Sequence, residues 1–310
     1  MKIRKYFKVR KIVRHVHLRR TGLDDFYRNL ARGITLVDIG ASYFFAARWG
    51  QLLNMSPSRL FLVDPNAKSL NYTDNLPNNL DIIKIESAVS RYGGSQVLYQ
   101  TNVISGSSLL QPDMNFLKSG QCPETTKSYF LPIKKVKLET ISIKTLLKES
   151  LGQTFFLKMD IQGYELELLK GAKSFLQRGD IVLVEVETSL VRNPVMLNAA
   201  KLPEVIDLMS RCGYQILDLS PVYEEVKMQG NKTKSGELGE CDITFIADPK
   251  EIKFQSPEKL VAIFVGYIIY GYPVLAHRLL SENIILKAEF TARGFYPEKI
   301  LEDLLLLPSN

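Results

Sequence analysis

Cysteine and histidine are scarce in this chain of 310 residues, which holds three of each. Cys122, Cys212 and Cys241 are far apart and form no Cys-x-x-Cys or Cys/His pair. This spacing argues against a disulfide framework and against a structural zinc site, and it favours a reducing compartment. Chemistry carried by cysteine or by structural zinc is therefore not expected.

A long apolar run is also missing. No segment reaches the ~18 consecutive apolar residues that are needed to span a bilayer. The nearest, residues 261–276, is interrupted by Gly266, Gly271 and Pro273. We predict a buried helix or helix pair there, with an interfacial segment as the alternative. The first 20 residues are too rich in Lys and Arg to form the apolar region of a signal peptide, so a cytoplasmic protein is predicted.

Excess positive charge is confined to the N-terminus. The net charge is +7, but residues 1–20 contain nine Lys and Arg residues and no acid, which leaves −2 for the rest of the chain. The simplest interpretation of this arm is a solvated tail. The alternative is peripheral contact with an anionic membrane through a basic amphipathic helix. Specific nucleic-acid binding is not expected, because the rest of the chain adds no basic excess.

Apolar runs alternate with helical segments through most of the chain. Five continuous runs are typical of buried parallel strands. They are 34–40, 58–66, 80–90, 154–163 and 180–188. Residues 213–220 and 240–248 are typical of an antiparallel pair at the far edge, so the sequence predicts a doubly wound α/β sheet. We predict a basic arm at 1–20, one α/β domain at 21–250 and a helical appendage at 251–310.

Carboxylates stand at the C-terminal ends of these predicted strands. They are Asp38, Asp64, Asp160, Glu185 and Glu187. A bare charge in such a place costs desolvation free energy unless a partner meets it. Ligands of open α/β sheets bind outside the carboxyl ends of the strands. The carboxylates therefore predict a ligand site at this edge of the sheet.

The turn after the first strand is suited to binding a ligand. Gly40 permits a positive φ and a close approach of a ligand to the backbone, Ser42 is a competent N-cap, and Ala41 lies between them. Only the first glycine of a GxGxxG dinucleotide fingerprint is present, and the bulky Tyr43 and Phe44 lie within the span of that fingerprint. A pyrophosphate is therefore disfavoured, and a plain strand–turn–helix junction is the alternative.

The acids of the first two strands point to a nucleoside ligand. Asp64 stands where an acid binds the ribose hydroxyls of a nucleoside, unless it only caps its own turn with Pro65. Asp38 either binds a cationic amine or orders its loop. S-adenosylmethionine fits both acids, because it has a ribose diol and a cationic amino acid but no pyrophosphate. Ser87 and Ala88 then flank the adenine.

Several segments resemble the FkbM family of S-adenosylmethionine-dependent methyltransferases. They are ITLVDIGAS, LFLVDPN, SAVS, IVLVEVET and above all FFLKMDIQGYELELLKGA. The resemblance covers about residues 35–188 and implies a Rossmann-like class I methyltransferase sheet that O-methylates a sugar, glycan or natural-product hydroxyl. The sequence SYFF departs from the family's usual Asn and second glycine. A catalytically impaired binding module and an NAD-dependent dehydrogenase are the alternatives.

The fourth strand carries the candidate catalytic residues. Methyl transfer is an in-line displacement, so the enzyme must hold the acceptor oxygen, the methyl carbon and the sulfur collinear. Asp160 is the predicted general base or acceptor anchor. Lys158 lies on the same strand face, where it polarises the acceptor or pairs with Asp160.

The acceptor is predicted to lie over Asp160, Gln162 and Glu187. Gly163 allows a close backbone approach, and Glu165 either contacts the substrate or complements the helix dipole. The stretches 105–132 and 191–201 are expected to shape the pocket. The same carboxylates suggest a divalent metal as an alternative, although a third ligand is lacking.

Overall fold

The computed structural model describes residues 30, 33–42, 52–53, 59–70, 80–120, 122–148, 154–190, 195–223, 226–228, 231–233 and 238–307. The basic arm at 1–20 and the aromatic pair Tyr43 and Phe44 lie outside the described residues. The helix that was expected after Ser42 is described only at residues 52–53.

The described strands and helices alternate over much of the chain. The strands are β1 (Ile34–Ile39), β2 (Arg59–Val63), β3 (Ile82–Ile85), β4 (Ala88–Ser90), β5 (Gly94–Thr101), β6 (Pro132–Ser142), β7 (Thr154–Met159), β8 (Ile181–Ser189), β9 (Tyr214–Tyr223), β10 (Val226–Met228), β11 (Asn231–Thr233) and β12 (Leu238–Ala247). The helices are α1 (Met114–Lys118), α2 (Glu124–Phe130), α3 (Ile143–Lys148), α4 (Glu165–Arg178), α5 (Leu202–Arg211), α6 (Pro257–Ile269), α7 (Pro273–Glu282), α8 (Ile284–Ala292) and α9 (Pro297–Leu305). Short 3-10 turns lie at Ile104–Gly106 and Ile252–Phe254.

The main sheet has the order β3-β2-β1-β7-β8-β12-β9. Neighbours from β3 to β8 run parallel, and β12 runs antiparallel to both β8 and β9. This confirms the predicted doubly wound sheet with antiparallel pairing at its far edge. The sheet is Rossmann-like, and the carboxyl ends of its five parallel strands meet at one edge.

The third apolar run differs from the prediction of one buried strand. It forms β3 in the main sheet and then β4, which pairs with β6 in a separate sheet of order β4-β6-β5. The chain turns between the two strands, where the Ser87 N–H donates to the Ile85 carbonyl at 3.0 Å. β3 is only partly buried because it is the edge strand.

Helix α4 packs through the inward face that its sequence predicts. Leu168, Ala172, Phe175 and Leu176 are all buried. The helix ends at Gly179, whose φ of +75° is left-handed and whose N–H donates to the Leu176 carbonyl. This glycine C-cap leaves room for β8 to begin two residues later.

Residues 261–276 lie within the pair α6 and α7, as predicted. Gly266 of α6 faces Phe156, Leu183 and Ile246, which are lateral neighbours on one face of the sheet. Helix α6 is therefore part of the main hydrophobic core. The domain boundary at residue 250 stays a prediction. No helix in the described part of the chain is long and apolar enough to cross a bilayer.

Replacing Gly266 by Val tests the docking of α6 on the sheet. A Cβ at this position would lie 2.9 Å from Ile246 Cδ1 and 3.3 Å from Leu183 Cδ1, so the larger side chain must push the helix away. We expect the free energy of unfolding, measured with denaturant, to fall by about 1–3 kcal/mol. The control Ala288→Val, at an exposed position of α8, should cost less than about 1 kcal/mol. Equal losses in the two variants would contradict this packing.

Candidate functional site

Lys158 joins two acids at the carboxyl ends of β1 and β7. Asp38 and Lys158 are register partners across these strands. Lys158 Nζ lies 3.6 Å from Asp38 Oδ1 and 3.7 Å from Asp160 Oδ2. Asp38 is 1% exposed and Lys158 16%. Pairing of Lys158 with Asp160 was one of the predicted arrangements, whereas the contact with Asp38 follows from the strand register and was missed.

Burial and neighbouring charges shift the pKa values of both Asp38 and Lys158. Burial raises the pKa of Asp38 to about 6, because the lowering effect of Lys158 offsets desolvation only in part and two further acids raise it. For Lys158 burial lowers the pKa, but the surrounding carboxylates outweigh it and the pKa is raised. Those carboxylates are Asp38, Asp160, Glu185 and Asp242. Lys158 therefore stays protonated and acts as a fixed cation.

The polar row continues across β8 to the C-terminal helices. Glu185 is the register partner of Lys158, and its carboxylate accepts a hydrogen bond from the Tyr270 hydroxyl. Tyr270 is the C-cap of α6. Sequence reasoning missed Tyr270, because it lies 85 residues from Glu185 in an apolar segment with no motif.

The first turn is locked between β2 and the end of β7. The N–H groups of Gly40 and Ala41 both donate to the Val63 carbonyl, at 2.9 and 3.2 Å. Gly40 has a φ of +82°, and a Cβ there would lie 1.9 Å from the Asp160 carbonyl oxygen. The predicted positive φ is thus present, but the close approach is made by the protein's own backbone. Ser42 donates its N–H to the Gly40 carbonyl at 2.7 Å.

Asp64 holds its own turn at the end of β2. Its Oδ1 accepts the Asn66 N–H at 2.7 Å, so Asp64 caps its turn, and whether it also binds a ligand stays a prediction. Pro65 beside it is exposed. Burial raises the pKa of Asp64, hydrogen bonds from Asn66 and Ser69 lower it in part, and the charge of Asp160 adds to the rise. Asp64 and Asp160 follow the carboxyl ends of the parallel strands β2 and β7, so they lie at the same edge of the sheet.

Ser87 and Ala88 lie where β3 gives way to β4. Ser87 donates its hydroxyl to the Ala88 carbonyl at 3.0 Å, and Ala88 is buried. The end of β3 is next to the end of β2 in the sheet. These residues therefore follow the strand that lies beside Asp64.

Gln162 connects the two acids of the predicted acceptor site. Its Nε2 donates to Asp160 Oδ1 at 2.8 Å and to Glu187 Oε2 at 3.1 Å. It also adopts a φ of +58°, which is uncommon outside glycine and clusters at functional sites. The amide therefore bridges the two carboxylates. The described residues include no cluster of three or more Cys, His, Asp or Glu side chains arranged for a metal ion.

The pKa of Glu187 is raised well above its usual value. Burial is the main cause, and the charges of Asp160, Glu240, Asp242 and Glu165 add to it. Glu187 therefore lies in acidic surroundings, and its carboxylate accepts a hydrogen bond from the Gln162 amide.

Glu165 and Gly163 make close contacts with the protein itself in the loop that follows β7. Glu165 is 0% exposed and its Oε1 accepts the Ile161 N–H at 2.9 Å. Burial raises the pKa of Glu165 to about 7, although backbone hydrogen bonds lower it in part. Gly163 has a φ of +101°, and a Cβ there would lie 2.8 Å from Ala199 Cβ. The close approach at Gly163 is again made by the chain itself, at Ala199.

A small pocket lies beside Gln162 and Glu187. Its lining residues are Phe130, Gln162, Gly163, Glu187, Thr188, Ser189, Val195, Met196, Ala199 and Glu240. Phe130 comes from the stretch 105–132 and three others from 191–201, the two stretches that were expected to shape the pocket. A larger groove of about 680 Å³ lies near the starts of β7 and β8, at the edge opposite the carboxylates, and has no part in this site.

Replacing Glu165 by Gln tests the pH dependence that its burial creates. The folded-state pKa of about 7 is above the ordinary 4.5, so the stability from Glu165 is present below about pH 4.5 and is lost as pH rises through about 7. Gln can still accept the Ile161 N–H but does not titrate. Over this range we expect the free energy of unfolding of the variant to rise relative to that of wild type by about 2–3 kcal/mol. The melting temperatures of the two proteins, measured at each pH, should show this relative gain. If the melting temperatures of wild type and variant had the same pH dependence, this expectation would be contradicted. The control Glu167→Gln, at a partly exposed site, should not reproduce the gain.

The sequence model of the Methyltransferase FkbM domain matches residues 38–216. No curated protein matches the sequence. The chain is similar to a crystal structure of precorrin-6y C5,15-methyltransferase from Geobacter metallireducens GS-15, at 12% identity and a TM-score of 0.33, over 73% of this chain and 87% of that one. It is also similar to a putative S-adenosylmethionine-dependent methyltransferase from Listeria monocytogenes, at 8% identity and a TM-score of 0.35, over 74% of this chain and 100% of that one.

The family assignment depends on the sequence match and not on these distant structures. The match extends over more than half of the chain and includes the ends of β1, β2, β7 and β8, where the acids converge. The chain belongs to the FkbM methyltransferase family.

Proposed function

We propose that this protein is an S-adenosylmethionine-dependent O-methyltransferase whose acceptor is a hydroxyl of a sugar, glycan or natural product. The observation that carries the proposal is the convergence of Asp160, Gln162 and Glu187 beside the first turn of the sheet, in a chain of the FkbM family. The arrangement offers accessible oxygen acceptors at the edge where ligands of such sheets bind.

The residues at the ends of β1 and β2 fit the donor. Asp38 Oδ1 is buried with Lys158 Nζ at 3.6 Å and accepts no hydrogen bond within the described residues, so a polar group of the donor would supply one. The first turn at 38–42 and Asp64 would hold the donor, with Ser87 and Ala88 beside the adenine. The net positive charge of S-adenosylmethionine suits a site rich in acids. The same acids repel the pyrophosphate of NAD, which argues against a dehydrogenase.

In this proposal Asp160 binds the acceptor hydroxyl and accepts its proton. When bound, S-adenosylmethionine supplies a methyl group on a positively charged sulfur. The Asp160 side chain is 41% exposed, so it can orient the hydroxyl and accept its proton. Because an alcohol is a much weaker acid than a carboxyl group, this proton moves late in the displacement. Lys158 on one side and Gln162 on the other fix the position of the Asp160 carboxylate.

The cellular setting is a separate part of the proposal. A cytoplasmic location, with peripheral contact between residues 1–20 and anionic membrane, is in keeping with the basic arm in the sequence. The proposed partner is a small-molecule or glycan acceptor, and no metal is assigned.

The first test is donor binding by isothermal titration calorimetry. S-adenosylmethionine should release or absorb heat, and Asp64→Asn should weaken its affinity about tenfold or more, because a charge-assisted hydrogen bond contributes about 1.5–3 kcal/mol. Asp81→Asn is the matched control, since Asp81 is exposed and pairs with Arg59 at the other end of the strands. Absence of heat in protein shown to be folded would count against the proposed function.

The second test concerns turnover. Asp160→Asn should reduce methyl transfer from radiolabelled S-adenosylmethionine to a panel of sugar and glycan acceptors by about 10²–10⁴-fold, because the proton acceptor is lost. Donor affinity should be retained. A binding module without activity predicts the opposite, namely no transfer by wild type and no effect of the substitution.

A further inference from the structure

A second cavity lies at the edge of the sheet where β7 and β8 begin, opposite the carboxylates. It is a groove of about 680 Å³, which is within the range of about 300–1,000 Å³ that is typical of small-molecule sites. Its walls come from α3, the start of β7, the end of α4 and the start of α6. Four separate elements therefore build a groove that the proposed function does not use.

The groove is lined by more cations than acids. Within the described chain its cations are Lys144, Lys148, Arg178 and Lys259, and its acids are Asp180 and Glu258. The chain beyond residue 20 has a net charge of −2, so this excess of positive charge is a local concentration. A groove of this kind attracts anions.

Neither acid neutralises the lysines of the groove. Asp180 Oδ2 accepts hydrogen bonds from Arg178 Nε and Nη2, at 2.9 and 2.6 Å. Glu258 is exposed and lies in the first turn of α6, where the helix dipole stabilises a negative charge. The three lysines form no ion pair with any residue that the structure describes.

Lys259 is held in place and keeps an unused hydrogen-bond donor. Its Nζ donates to the carbonyl of Arg178 at 2.9 Å and to the carbonyl of Lys253 at 3.0 Å. A lysine ammonium has three N–H donors, so one remains for a ligand. The two carbonyls carry no formal charge, and the positive charge of Lys259 therefore stays available to an anion. Because its position is set before a ligand binds, the entropic cost of binding is reduced.

Lys144 and Lys148 place two like charges on one face of α3. Side chains four residues apart are neighbours on a helix, and like charges at this spacing destabilise it. The buried residues of α3 are Ile143, Leu146 and Leu147, so the two lysines occupy its exposed face beside the groove. An anion between them would replace repulsion by attraction.

We propose that this groove binds a phosphorylated ligand with at least two negative charges, held by Lys144, Lys148 and Lys259. A phosphate group suits them, because its several oxygens accept strong, charge-assisted hydrogen bonds from ammonium groups on different elements. The hydroxyl groups of Thr154 and Ser174 line the same groove and can donate to further oxygens. The inference concerns a second site and is independent of the proposed methyltransferase function.

The test uses inorganic pyrophosphate as a compact probe of this chemistry. It is titrated into the full chain by calorimetry without divalent metal, at about pH 7 where the lysines are charged. We expect wild type to bind it. The double variant Lys144→Gln/Lys148→Gln should bind it about tenfold or more weakly, because two charge-assisted contacts are lost.

The matched control removes the same charge elsewhere. Lys134→Gln/Lys137→Gln replaces two exposed lysines of β6 that do not line the groove, and should change the affinity by less than about twofold. Circular dichroism checks that both variants are folded. Absence of heat from wild type, an unchanged affinity in the groove variant, or equal weakening in the two variants would each overturn the proposal.

A phosphorylated ligand can be a soluble molecule or the head group of a lipid. Vesicles of phosphatidylcholine with phosphatidic acid separate these sources in a sedimentation assay. A groove variant that binds the vesicles about fivefold or more weakly than the control variant identifies a head group. Equal binding of the two variants identifies a soluble ligand. Either result supports the site once wild type binds pyrophosphate and the groove variant does so more weakly.

Discussion

The contact of Lys158 with Asp38 and Asp160 is the constraint on which the site depends. An acid that is 1% exposed needs a partner, because an uncompensated buried charge costs several kcal/mol. Lys158 supplies it from the adjacent strand, at 3.6 Å, and reaches the more exposed Asp160 at 3.7 Å. The register of β1 and β7 brings Lys158 beside Asp38, and the ion pair holds the Asp160 carboxylate at the edge of the sheet.

Close backbone packing makes this arrangement rigid. Gly40 lies against the Asp160 carbonyl, and Gly163 lies against Ala199, so no side chain separates the segments that carry the acids. Gln162 accepts an unfavourable φ to bridge Asp160 and Glu187. Strain of this kind persists only where the surrounding structure holds the residue in place. The result is a pair of acids whose geometry is set before any ligand binds.

The C-terminal helices contribute to the same network from outside the segment that matches the family. Tyr270 donates to Glu185, and Gly266 allows α6 to lie directly on the sheet. The residues that match the family end at 216, so this support is an addition made by the rest of the chain. It extends the polar row from β1 to a helix that the catalytic motif does not contain.

The sequence by itself determined the sheet, its parallel strands, the cap of α4 and the acids at the strand ends, because these depend on local apolar periodicity and on a motif contiguous in the chain. Asp160, Gln162 and Glu187 were predicted together, and the structure joins them. Only the tertiary structure decided that Lys158 serves Asp38, that Gly40 and Gly163 pack on backbone, that Glu165 is buried and that Tyr270 reaches Glu185. Those contacts join residues far apart in the chain, and their pairing follows from strand register and helix docking, which local patterns do not encode.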